Sequence, residues 1–219
     1  MATDIRQIAM FSGNPEAFFK ALQACAATRF YPAKSIITWE GDECLSVYFI
    51  LEGWVELYRA SLDGREQIID RLGEGEAFNL APVFMESAIQ QATARALKPC
   101  TLMVIRKKEF LNLLDQFPES YKALARYFAS RLAMMADHIE NLSLHSVRVR
   151  LARFLIREAE KGSDPGWTQE DMGRRLGTVR DVIGRTLRRF ENDGLIRMAR
   201  QRILLLDRDR LTHTAEGRQ

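Results

Sequence analysis

The sequence predicts an α+β chain in three parts: a β-roll, one long helix, and a small helical unit closed by a hairpin. Three patterns carry that prediction. Short apolar runs alternate with glycines over residues 28–106, an uninterrupted helical seam follows over 119–144, and a capped helix pair with a glycine turn lies near the C-terminus.

The runs of the first part are KSIITW (34–39), VYFILE (47–52), WVELYR (54–59), EQIIDRL (66–72), ATARAL (92–97) and CTLMVIR (100–106). Their length and even spacing suit a barrel or sandwich, and Asp63-Gly64 is a strong hairpin dipeptide. A short helix over about 15–27 is expected to pack on these strands. KKEFLNLLDQF reads as a second short helix ended by Pro118, so the first domain is placed at 1–118.

The next helix opens at Pro118-Glu119. Along it Tyr121, Leu124, Phe128, Leu132, Met135, Ile139 and Leu142 fall at spacings of 3, 4, 4, 3, 4 and 3. A narrow apolar seam over three heptads asks for a partner helix, most simply the same helix of a second copy. Leu124, Phe128, Leu132, Met135, Ile139 and Leu142 are therefore the expected dimerisation residues of a 119–144 segment. The other reading packs the seam on the chain's own roll. Because no proline or glycine interrupts 119–161, residues 145–161 are expected to continue as helix, with the functional boundary near Leu144.

Charge divides at the same place. Residues 145–219 hold 17 Arg and Lys against 11 Asp and Glu, whereas 1–144 hold 15 against 18. All but one of the C-terminal cations are arginines, whose planar fork suits phosphate and guanine. A basic part beside an acidic one points toward nucleic acid.

The stretch WTQEDMGRRLGTVRDVIGRTLRRFENDGLI (167–196) carries the function. Thr168 is a good N-cap, and Asp171 can close a capping box with it. Gly173 is small where two helices must approach, Gly177 supplies a turn, and Met172, Leu176 and Ile183 point inward. A second helix from about Val179 presents Arg180, Asp181 and Arg185 on its first turns, with Arg188 and Arg189 beyond. That end of a recognition helix reaches base edges in the major groove. Arginine forks pair with guanine, and a carboxylate accepts from cytosine N4. The plainer alternative is an Asp181–Arg185 ion pair within the helix. GLIRMARQRILLLD then reads as two strands of a wing, with Arg200 or Arg202 set to touch phosphate.

In this order the β-roll, long helix and winged helix-turn-helix resemble the catabolite-activator/FNR (CRP/FNR) superfamily of bacterial transcription regulators. The resemblance covers nearly the whole chain, and GTVRDVIGRTLRRFENDGLI is its most specific element. It implies a cyclic-nucleotide-binding-like roll, a cytoplasmic homodimer on a palindromic operator, RNA polymerase as a partner, and Arg180, Asp181 and Arg185 as base readers. Thr168, Gln169, Val179, Arg188 and Arg200 complete the DNA-facing set over a domain at 145–219. Val179 departs from the Ser or Thr that relatives use on phosphate, and Asp181 is a carbon shorter than the usual Glu.

Relatives that bind cyclic AMP follow Gly-Asp/Glu-x-Phe with a Gly-Glu pair, whose glutamate takes the ribose, and use a later Arg-Ser/Thr pair for the phosphate. Here Gly75-Glu76-Ala77-Phe78 is followed by Asn79-Leu80-Ala81-Pro82, and the later segment reads Gln90-Gln91-Ala92-Thr93. A phosphate buried without a cation is costly, which argues against cyclic AMP in the usual mode. Arg95 shares the Thr93 face and leaves room for a rearranged anion site. The FNR-type cysteine cluster is missing; Cys25, Cys44 and Cys100 lie at least 19 residues apart and suit small buried hydrophobes. Haem sensing of CO or NO stays as an alternative, with Cys44, Cys100 and His138 as ligands.

Other classes fare worse. A metal-dependent enzyme of the cupin type needs histidines inside the barrel, but His138, His145 and His213 all lie outside 28–106. Neither a phosphate-binding glycine loop nor a nucleophile elbow is present, so an enzyme is not expected. A cyclic-nucleotide-binding adaptor without DNA binding conflicts with the intact recognition helix. No apolar run approaches the roughly 18 residues of a spanning helix.

Overall fold

The computed structural model describes residues 8–161, 166–199 and 202–217. Two compact units result, one of Met1–Arg65 with Ile69–Ala133 and one of Glu66–Ile68 with Met134–Gln219. In the first, helix α1 (Glu16–Ala24) sets Phe18 and Leu22 one turn apart, so both are buried. Eight strands follow: β1 (Ala26–Tyr31), β2 (Ile36–Thr38), β3 (Ser46–Glu52), β4 (Val55–Ala60), β5 (Glu66–Leu72), β6 (Ala77–Phe78), β7 (Thr93–Ala96) and β8 (Cys100–Arg106). They form two four-stranded sheets, ordered β1-β8-β3-β6 and β2-β7-β4-β5. This is the expected α+β roll, with β1 and β6 added to the strands anticipated from the apolar runs.

Turn chemistry fixes the pairing. Gly64 stands at φ 79° in the turn between β4 and β5, where an L side chain is strained. Gly53 has φ 94°, and a Cβ there would come within 2.4 Å of the Pro99 carbonyl oxygen. The sheets enclose Ile50, Val55, Leu72, Leu102 and Val104. A second core lies under α1, α2 (Lys107–Gln116) and the start of α3 (Glu119–Leu144), built on Phe18, Phe49, Phe110 and Leu114.

One seam residue changes its role. Leu124 is 2% exposed and belongs to that second core, so its apolar partner is this chain's own roll and not a second copy. Phe128 is half-buried, edge-on to Phe84 at 6.0 Å between ring centroids. From Leu132 onward the seam is open, with Leu132, Met135 and Ile139 at 70%, 60% and 65% exposure.

The expected continuous helix through 145–161 is also corrected. Helix α3 stops at Leu144 and α4 runs Val147–Lys161. Ser146 makes the new start: its hydroxyl accepts the Val149 N–H at 3.4 Å and its carbonyl accepts the Arg150 N–H. A serine N-cap can restart a helix without proline or glycine.

In the second unit, α4, α5 (Gln169–Leu176), α6 (Arg180–Asn192) and α7 (Arg208–Ala215) surround Leu151, Met172, Ile183, Leu187 and Phe190. Strands β9 (Ile196–Ala199) and β10 (Arg202–Leu205) pair antiparallel as the wing. No helix among the described residues is long and apolar enough to cross a membrane.

Candidate nucleic-acid interface

Helix α5 begins at a complete capping box. The Thr168 hydroxyl accepts the Asp171 N–H at 3.1 Å, and the Asp171 carboxylate accepts the Thr168 N–H at 3.3 Å. The helix ends at Gly177, whose φ of 63° and ψ of 44° are left-handed. Arg150 of α4 donates to the carbonyl of Leu176 at 2.7 Å, satisfying an orphan acceptor at that end. Met172, Leu176 and Ile183 are all buried, and a Cβ on Gly173 would press on Thr178 and Arg180. These contacts fix where α6 starts.

Six side chains of α6 stay in solvent: Arg180, Asp181, Arg185, Arg188, Arg189 and Asn192. At 100° per residue, Arg180, Gly184, Arg188, Asp181 and Arg185 share an arc of about 140°. With Gln169 they line one shallow concavity. Among the described residues neither Asp181–Arg185 nor any other ion pair engages this arc. Three guanidinium forks and one carboxylate are thus presented outward with their hydrogen-bonding capacity intact. Val179 precedes the helix without a side-chain cap, which leaves first-turn N–H groups open at the positive end of the dipole.

Gly184 was not foreseen as part of this surface. It is buried within α6, and a Cβ there would stand 2.8 Å from the Gln169 Oε1. Its absence lets the Gln169 amide lie across α6 beside the arginines. The only trace in the sequence is a glycine inside a strong helical pattern, where it costs about 1 kcal/mol relative to alanine. Arg200 lies outside the described residues, as does Gln201, so the tip of the wing carries no structural account.

The roll's interior is paired with itself. Glu56 is fully buried and bonded to two guanidinium groups, Arg71 at 2.9 Å and Arg95 at 2.6 Å. Arg95 also stacks on Tyr58, 4.4 Å from the ring centroid. Arg95, the cation expected for a rearranged anion site, is thus already paired with Glu56. Gln90, in the segment read without a phosphate arginine, is 3% exposed, and its Oε1 has no partner among the described residues. The cysteines do not fit haem ligation. Cys44 and Cys100 are fully buried, and their thiols donate to the carbonyls of Ser46 and of Trp54 and Lys98.

Comparison with known proteins agrees with both units. A cyclic nucleotide-binding domain model matches residues 28–117, and a Crp-like helix-turn-helix model matches 149–214. The chain is 31% identical over 188 residues to the cAMP-activated global transcriptional regulator Vfr of Pseudomonas aeruginosa, covering 81% of this chain and 87% of Vfr. It is 28% identical to the cAMP-activated regulator CRP of Pasteurella multocida, over 76% of this chain and 83% of CRP. In fold it is similar to a CooA variant of Carboxydothermus hydrogenoformans, with a TM-score of 0.79 at 21% identity and 98% of both chains covered. With a roll, a long helix and a winged helix-turn-helix on one chain, this protein belongs to the CRP/FNR superfamily and is a DNA-binding transcription regulator of that type.

Proposed function

We propose that the chain works as a cytoplasmic homodimer reading a palindromic operator, with α3 as the dimer seam and α6 in the major groove of each half-site. The observation that carries the reading is the outward, unpaired set of Arg180, Asp181 and Arg185 on the first turns of α6. Arg180 and Arg185 each take a guanine, and Asp181 takes a cytosine, in half-sites roughly one helical turn apart. Thr168 retains its hydroxyl proton for phosphate because its cap uses only the oxygen lone pair. Gln169, Arg188, Arg200 and the N–H groups after Val179 hold the backbone around it.

The dimer rests on Leu132, Met135, Ile139 and Leu142, four exposed apolar side chains along one stripe. Covering them contributes on the order of 4–7 kcal/mol per subunit before ordering costs. Bound this way, the regulator meets RNA polymerase at the promoter. The paired arginines of the roll speak for an effector other than cyclic AMP.

Sequence selection from a random DNA pool tests the base assignment. Wild type is expected to enrich a two-fold symmetric motif, and Arg180→Ala to lose selectivity at one base pair per half-site at a cost of about 1–3 kcal/mol. An identical motif at every position from the variant would remove Arg180 from base reading.

A further inference from the structure

The hold of the roll on α3 is ionic as well as apolar. Asp70 of β5 is 5% exposed, and its carboxylate receives the Arg131 guanidinium of α3 at 2.5 Å. One turn earlier the Tyr127 hydroxyl donates to the Ala77 carbonyl at 3.2 Å, and the Arg131 guanidinium lies over the Tyr127 ring. Leu124, one turn before that, is sunk in the core. Three successive turns of α3 are fastened here, and the fastening stops where the helix leaves the first unit at Ala133. The exposed stripe begins at Leu132, the residue after Arg131.

Among the described residues, every arginine of the first unit that is not exposed carries a carboxylate partner: Arg71 and Arg95 share Glu56, and Arg131 has Asp70. A negative effector entering this interior would find its counter-charges already taken. It would have to break a buried pair, leaving a carboxylate desolvated and unpaired.

We propose that Asp70 is a built-in counter-ion that latches α3 to the roll through Arg131, so that the dimerisation helix is docked without any anionic effector. This rests on the DNA-reading function proposed above and names its mode of control. The latch holds the part of α3 that precedes the stripe against its own roll, and operator affinity depends on that hold. Asp70 and Arg131 are positioning residues and touch neither DNA nor ligand.

The test is a double-mutant cycle with full-length protein, exhaustively dialysed, on the DNA that wild type selects. Wild type is expected to bind with no small molecule added. Asp70→Asn and Arg131→Gln should each weaken operator binding about tenfold or more, and the double variant should lose no more than either single one. Circular dichroism and melting separate this from misfolding, since a merely structural pair would change melting and leave the affinity of the folded protein intact. If Asp70→Asn does not fold, Arg131→Lys, which keeps the charge and shortens its reach, gives the same reading. The latch is overturned if the folded variants bind as tightly as wild type, or if wild type selects DNA only after cyclic AMP is added. A wild type that selects no sequence in either condition refutes the DNA-reading function itself.

Discussion

Thr178 donates its backbone N–H to the Gly173 carbonyl at 3.0 Å, while a Cβ on Gly173 would stand only 3.0 Å from the Thr178 carbonyl oxygen. The turn between α5 and α6 is thus closed by a hydrogen bond that needs a bare α-carbon beside it. The obstructing atoms are backbone and belong to the residues that start α6, so they cannot rotate aside. Gly173→Val is expected to destabilise the C-terminal unit by about 2–3 kcal/mol, overpacking outweighing the small gain in helix propensity. Urea titration followed by far-ultraviolet dichroism measures it. A variant as stable as wild type, with unchanged operator affinity, would show that the turn has slack.

The open part of α3 gives a second expectation. Met135 and Ile139 are 60% and 65% exposed on one stripe, four residues apart. Met135→Glu with Ile139→Glu puts two carboxylates where two copies would meet, and like charges across a seam oppose pairing. Sedimentation at micromolar concentration should show wild type as dimer and the double variant as monomer with weakened operator binding. A monomeric wild type would remove α3 as a dimer seam.

Legibility differed by element for physical reasons. The helix-turn-helix was readable because each of its devices is local: the Thr168–Asp171 box, the Gly177 turn, and the inward Met172, Leu176 and Ile183 lie within sixteen residues. Strand β1 escaped because AATRFY shows no alternation and four of its residues are exposed. Leu124 and Leu132 sit in the same seam about two turns apart, and periodicity reports that a face is covered without reporting by what. The break at His145 needed only the Ser146 hydroxyl, too common a residue to mark a boundary. The buried pairs of Glu56 and Asp70 leave no local signal, because their arginine partners are brought in by folding from residues 71, 95 and 131.

The thiols provide a chemical check on the roll. Burial pushes Cys25, Cys44 and Cys100 above the ordinary thiol value, backbone hydrogen bonding opposing it only in part. Iodoacetamide at neutral pH should modify half-buried Cys25 slowly and spare Cys44 and Cys100 until denaturant is added. The sign for stability follows. Thiols whose folded values are raised support the fold below the unfolded value near 8.5, and that support is lost as pH rises past it. The melting temperature of the roll should therefore fall above about pH 8.5. Rapid labelling of Cys100 in the native protein would contradict its burial.

The last expectation concerns the nucleotide that names the curated relatives. Vfr and CRP are described as cAMP-activated, and this chain is 31% and 28% identical to them over 188 and 174 residues. A cyclic phosphate needs a cation at the place it is buried, because an unpaired ion there costs several kcal/mol. In this roll Glu56 occupies Arg71 and Arg95, Asp70 occupies Arg131, and the buried amide of Gln90 is neutral. Displacing Glu56 from two arginines would leave that carboxylate desolvated with nothing to receive it. Isothermal titration of the dialysed protein should accordingly show no saturable heat with cyclic AMP below about 100 μM, about 7 kcal/mol short of nanomolar binding. Operator affinity should be the same with and without the nucleotide. A site at micromolar affinity or tighter would mean that the roll opens its buried pairs to admit an anion. In that case Glu56→Gln, which releases both arginines, should tighten cyclic AMP further, whereas in a roll that stays closed it should only lower stability.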